Sequence, residues 1–172
     1  MTPELRQQIG RRARGLQARI RPETLHALAL ATEAHGLFEE ATDELRCRWL
    51  TLELAGYGAH QARPLSELLR VLPNDRAGAR LVAHVAGYRT QRGMEVSAGR
   101  PSVEVRHFFV ESLEDLVATE QKLSELGSTG AVALGLDGPG GRRSVEFARD
   151  VFVRVLTGFQ AALHLQLGDL AR

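Results

Sequence analysis

One stretch limits what this chain can become more than any other. Between Phe38 and Gly58, the residues Phe38, Ala41, Leu45, Trp49 and Leu52 recur at three-and-four spacing and form an apolar stripe. The pattern then stops at Gly56, with Tyr57 and Gly58 following. Gly56 sits where a left-handed helix cap needs a residue without Cβ. Tyr57 falls where a hydrophobic contact back onto the last turn is common. A helix of this kind must lay its stripe against other elements, so the chain reads as a packed, mostly helical domain.

The rest of the chain is punctuated in the same way. Thr2-Pro3-Glu4 predicts a helix start, with Thr2 as N-cap, Pro3 at the first helical position and an acid in the first turn. Leu5, Ile9, Leu16 and Ile20 give that helix a narrow apolar face. Pro22 breaks it and opens a second helix to Gly36, with Leu25, Leu28 and Ala29 facing inward. The third helix is expected from about Leu37 to Ala55. Pro64 opens a short helix that Pro73 ends, and Asn74-Asp75 caps another to about Gln91. Residues 92–101, with Gly93, Gly99 and Pro101, read as a loop and a hinge between halves.

After Pro101 the period changes to two. Val103, Val105, His107 and Phe109 alternate with Glu104, Arg106 and Phe108, which predicts a strand. Ser112-Leu113-Glu114-Asp115 starts a helix with a capping-box pattern, and Gly127 ends it. Ala131 to Leu136 is a second strand-like run, followed by the turn Asp137-Gly138-Pro139-Gly140-Gly141. A long helix with Val151, Val155, Phe159, Ala162 and Leu163 among its apolar positions is expected from about Ser144 to Leu170. Two pairings stay open: the strands lie parallel across the intervening helix, or 131–136 folds back on 142–147 as a hairpin. The expected fold is α+β and predominantly α-helical. It comprises a helical N-terminal part, a small two-stranded element and a long C-terminal helix, in one domain over 1–172. Within it, 1–92 would form the helical part and 102–172 a strand-helix-strand-helix part.

Composition narrows the function classes. No apolar run approaches the ~20 residues that span a bilayer, and Met1 to Arg21 carry no secretory h-region. Cys47 is the one cysteine, and a lone thiol fits a reducing cytoplasm. The net charge is only +1, so the whole molecule exerts no strong pull on nucleic acid. The distribution is uneven, however. Residues 1–22 hold six arginines (Arg6, Arg11, Arg12, Arg14, Arg19, Arg21) against Glu4, a net of +5. Residues 23–54 hold seven acids against Arg46 and Arg48, a net of −5. The simplest consequence is that these neighbouring helices attract each other or carry solvated charged faces.

Two patterns suggest ligand chemistry, and each has a plainer explanation. Arg76, Arg80, His84, Tyr88 and Arg92 follow at i+4 intervals, so they share one helix face that could track a phosphate backbone, with Tyr88 as a stacking surface. A solvated face with Tyr88 turned partly into the core explains them as well. The loop around Gly138, Gly140, Gly141, Arg142 and Arg143 offers amides and arginines to an anion if a helix begins there. It lacks the Gly-Lys-Ser/Thr of a Walker loop, and Arg143 stands where the dinucleotide fingerprint needs a third glycine. A plain turn accounts for it more simply. The six histidines (His26, His35, His60, His84, His107, His164) are scattered and none has metal-ligand spacing. Glu39, Glu40, Asp43, Glu44 and Glu53 line the third helix and read as solvated acids. No nucleophile elbow, kinase set or deaminase signature occurs, so no catalytic, cofactor or metal residue is assigned.

The region around the third helix resembles the AbiTii domain of bacterial abortive-infection systems. The resemblance rests on Leu28-Ala29-Leu30-Ala31, then Trp49, then Glu53-Leu54-Ala55-Gly56-Tyr57-Gly58, with the polar 59–64 stretch following. Ala55 stands where the family often carries Asn. The likeness covers about the first 65 residues. It implies an intracellular bacterial sensor or accessory module in antiphage defence, acting by binding to a protein partner or to itself. The family supplies no catalytic residue to carry over. The expected function is therefore a non-enzymatic, cytoplasmic interaction module without a cofactor or a membrane role. The alternative is a nucleic-acid binder using the basic first helix and the Arg76-Arg80-His84-Tyr88-Arg92 stripe.

Overall fold

Helix α1 (Pro3–Arg19) begins as its sequence dictates: the Thr2 hydroxyl accepts from the Leu5 amide at 3.3 Å, and Pro3 occupies the first turn. These details come from a computed structural model that describes residues 2–21, 26–56, 93–98, 103–127, 130–138 and 141–172. Ile9, Ala13 and Leu16 form the buried stripe of α1, each large aliphatic contributing about 1.5–3 kcal/mol. Leu5, assigned to the same stripe by spacing, is 37% exposed one turn beyond it.

The boundary between the next two helices differs from the expectation. Helix α2 (Ala27–Glu40) runs straight through Gly36, and α3 (Glu44–Ala55) starts only after Asp43. A single glycine costs a helix interior about 1 kcal/mol, which packing readily offsets. Here Leu37 and Phe38, just past it, are both buried. The break lies at Thr42, whose φ of +56 is the only positive value among the described non-glycine residues. The Asp43 amide donates to Phe38 O and the Thr42 amide to Glu39 O, both at 2.9 Å. That pair of bonds is a Schellman ending, with threonine in the place usually held by glycine. Asp43 then caps α3, accepting from the Arg46 amide at 3.1 Å. Ala29, expected to face inward, is exposed.

The described residues of the C-terminal half contain four strands. β1 (Gly93–Ala98) pairs antiparallel with β2 (Val103–Phe108), Gly93 opposite Phe108 and Ala98 opposite Val103. Residues 93–98 were expected to be loop. Gly93, Gly99 and Pro101 suggested the loop, but Met94, Val96 and Ala98 alternate with Glu95 and Ser97, and the run pairs with β2. Helix α4 (Leu113–Leu126) starts at Ser112, which accepts from the Asp115 amide at 3.0 Å and donates to its carboxylate at 2.7 Å. Gly127, at φ +72, follows its last turn. β3 (Ala131–Gly138) folds back on β4 (Gly141–Ala148), with Ala131 opposite Ala148 and Gly138 opposite Gly141. The hairpin alternative is therefore the one adopted. The final helix, α5 (Arg149–Leu170), starts five residues later than Ser144. Among the described residues, the two hairpins are separate two-stranded sheets, β1 lying against β4 and β2 against β3.

This is a predominantly helical α+β fold, with five helices among the described residues. α5 is its axis. Phe152, Val155, Leu156, Phe159, Leu163 and Leu167 are all buried along it. α1 runs antiparallel to it: Arg14 donates to Ala171 O at 2.8 Å and Gln17 to His164 O at 3.1 Å. A Cβ on Gly168 would sit 2.9 Å from the Gln17 amide nitrogen, whereas one on Gly10 would make ordinary contact with Ala171 at 3.6 Å. One continuous core joins α1, α2, α3, α4, β4 and α5. At the hairpin end, Phe109 meets Phe147 and Phe152 edge-on, with ring centroids 5.3 and 5.5 Å apart. None of the described helices is long and apolar enough to cross a membrane.

Candidate functional site

Trp49, Glu53 and Gly56 of the α3 signature are buried, while Ala55 is exposed. Trp49 is fully buried and packs on Phe159 of α5, centroids 5.8 Å apart and tilted by 44°. Its indole nitrogen donates to Glu53 Oε1 at 3.1 Å. Glu53 is itself fully buried, which corrects its reading as a solvated acid. Its i,i+4 spacing from Trp49 brings the carboxylate to the indole nitrogen.

Gly56 ends this helix in a conformation different from the expected left-handed cap. Its φ is +85 but its ψ is 157, a region that side chains other than glycine's essentially avoid. A second constraint acts there. A Cβ on Gly56 would lie 3.0 Å from both Ser112 N and Val110 O, so the end of α3 is pressed against the backbone that starts α4. Tyr57 lies outside the described residues.

A second polar group, which the sequence did not reveal, joins α3 to the end of α5. Arg46 is 8% exposed and its guanidinium lies 5.8 Å from the Phe38 ring centre. It donates to Gln166 Oε1 at 2.8 Å, pairs with Asp43, and lies 3.5 Å from Asp169. Arg172 approaches Asp169 from the outside at 3.6 Å. An arginine fork suits such a cluster because its donors point in several fixed directions. A similar tie joins α4 to α5, where buried Glu120 accepts from Arg149 at 2.6 Å. Distance in sequence hid the ties to α5. Arg46 and Gln166 are 120 residues apart.

The charge asymmetry of the first fifty residues is used internally. Arg12 of α1 pairs with Glu40 of α2 at 2.5 Å, and Arg19 pairs with Glu33 at 2.5 Å. The Glu33 carboxyl is held below its usual range by the Arg19 hydrogen bond. These pairs flank a groove of about 400 Å³ lined by Arg12, Gly15, Leu16, Arg19, Glu33 and Leu37. Arg6 and Arg11 are exposed. Between α2 and α3, His35 Nε2 lies 3.1 Å from Thr51 Oγ1 and Nδ1 lies 3.6 Å from Glu39. The Thr51 hydroxyl donates to Cys47 O, so it accepts from His35. Cys47 is half-buried, and burial followed by the charges of Glu39 and Asp43 pushes its thiol above the ordinary range.

The remaining predicted sites fall in two places. Arg76, Arg80, His84, Tyr88 and Arg92 lie outside the described residues, as does Gly140. Gly138 and Gly141 face each other at the hairpin end, and Arg142 stands opposite Asp137 with Arg143 opposite Leu136. The chain after Gly141 is strand, and α5 begins only at Arg149, so no helix N-terminus backs this loop. Among the described residues, no three of His, Cys, Asp and Glu converge as metal ligands would.

The chain matches no family model, no curated protein and no solved structure. Its reading therefore rests on the geometry above: chemically distinctive side chains tied to one another within the fold.

Proposed function

We propose that this chain is a non-enzymatic, intracellular interaction or sensor module that works by binding a protein partner or a second copy of itself. The setting suggested by the α3 signature is bacterial antiphage defence of the abortive-infection kind. The observation that carries the reading is how the basic first helix is occupied. Arg12, Arg14 and Arg19 bond Glu40, the Ala171 carbonyl and Glu33 within the chain. With Arg12 and Arg19 paired to carboxylates and Arg14 held by a carbonyl, that helix offers a phosphate backbone less than the net +5 of residues 1–22 suggests. Trp49, Glu53 and Gly56 hold α3 in place, and on this reading they shape the surface that a partner meets.

The test combines light scattering after gel filtration with a gel-shift assay on DNA and RNA at 50 and 150 mM salt. A mass above one chain, with no submicromolar nucleic-acid binding at 150 mM, is the expected result. The nucleic-acid reading predicts the opposite: submicromolar binding at 150 mM, lost when Arg76, Arg80 and Arg92 are changed together to alanine. The salt slope would then shrink by about 0.9 per lost duplex contact. That outcome would overturn the proposal.

A further inference from the structure

We draw no further inference here: the strongest candidate, the groove between α1 and α2 lined by Arg12, Gly15, Leu16, Arg19, Glu33 and Leu37, has its two guanidinium groups already paired to Glu40 and Glu33, and nothing in the structure shows what covers it.

Discussion

Trp49 and Glu53 stand one turn apart on α3, the indole nitrogen donating to the carboxylate at 3.1 Å, and neither side chain reaches solvent. Removing either partner should therefore have unequal effects. Trp49→Ala deletes a buried aromatic and its contact with Phe159, and should cost about 3–5 kcal/mol. Glu53→Gln keeps an acceptor for the indole and should cost less than Glu53→Ala, which leaves a buried donor without that bond at about 1–3 kcal/mol. Urea unfolding followed by fluorescence measures all three stabilities except that of Trp49→Ala, for which circular dichroism serves. Since Trp49 is the only tryptophan, its native emission should be blue-shifted and should move red on unfolding. Native emission at the wavelength of free tryptophan would contradict its burial.

Gly56 and Gly127 both have positive φ, +85 and +72. Alanine at either position carries a backbone cost of about 1–3 kcal/mol. Only at Gly56 does the new Cβ also meet other backbone, at Val110 and Ser112, whereas nothing lies within 4 Å of the Gly127 position. Gly56→Ala should consequently destabilise more than Gly127→Ala in thermal melts. Equal losses would mean that the approach of α3 to the start of α4 has no energetic weight.

Thr42 occupies the glycine position of a helix ending at φ +56, where a branched Cβ is crowded. Thr42→Gly should remove strain of about 1–2 kcal/mol, less the glycine's greater freedom in the unfolded chain. The expected net effect is a small rise in melting temperature, an unusual direction for a change to glycine. A fall of several degrees would show that the Thr42 side chain contributes more than its backbone costs.

Arg46→Ala leaves Asp43, Asp169 and Gln166 without the guanidinium they converge on, and should cost about 3–5 kcal/mol. Arg12→Ala, which breaks a half-exposed pair, should cost only about 0–1 kcal/mol. Arg46→Lys should fall between the first variant and the parent, because one ammonium cannot reach three partners in fixed directions. Chemical denaturation of the three variants checks the order.

The raised pKa of Cys47 predicts a slow thiol. Burial disfavours the thiolate first, and the charges of Glu39, Asp43 and Glu44 add to it. Maleimide or disulfide-reagent labelling of the native protein at neutral pH should be much slower than labelling in denaturant. Because the folded pKa is higher than the unfolded one, the associated stability is full below the unfolded thiol value and is lost as pH rises through the folded one. Cys47→Ala should therefore flatten the alkaline side of the stability profile. Equal native and denatured labelling rates would rule the shift out.

What could be read in advance was whatever local chemistry alone decides. Thr2, Pro3, Ser112 and Gly127 mark helix ends in the structure as they do in the sequence, because capping needs only residues within one turn. The strand at 103–108 was legible from its period of two. Gly36 misled because a helix tolerates one glycine when its neighbours are buried. The actual break at Thr42-Asp43 was read as part of an acidic helix face. β1 was missed although Met94, Val96 and Ala98 alternate with Glu95 and Ser97, because Gly93, Gly99 and Pro101 marked the stretch as loop. Burial of Arg46 was invisible because its partner Gln166 comes from α5, 120 positions away.

The antiparallel seating of α1 on α5 carries a consequence for synthesis. Gln17 and the carbonyl it bonds, His164, are separated by 147 residues. At roughly 5–20 residues per second, α1 waits about 7–30 s after it is made before its docking surface exists. Until then Ile9, Ala13 and Leu16 have only the neighbouring helices to cover them. The notch at Gly168, which admits Gln17, is thus filled by a segment made well before the notch itself has emerged. On the ribosome this seam closes only once both of its distant halves are out.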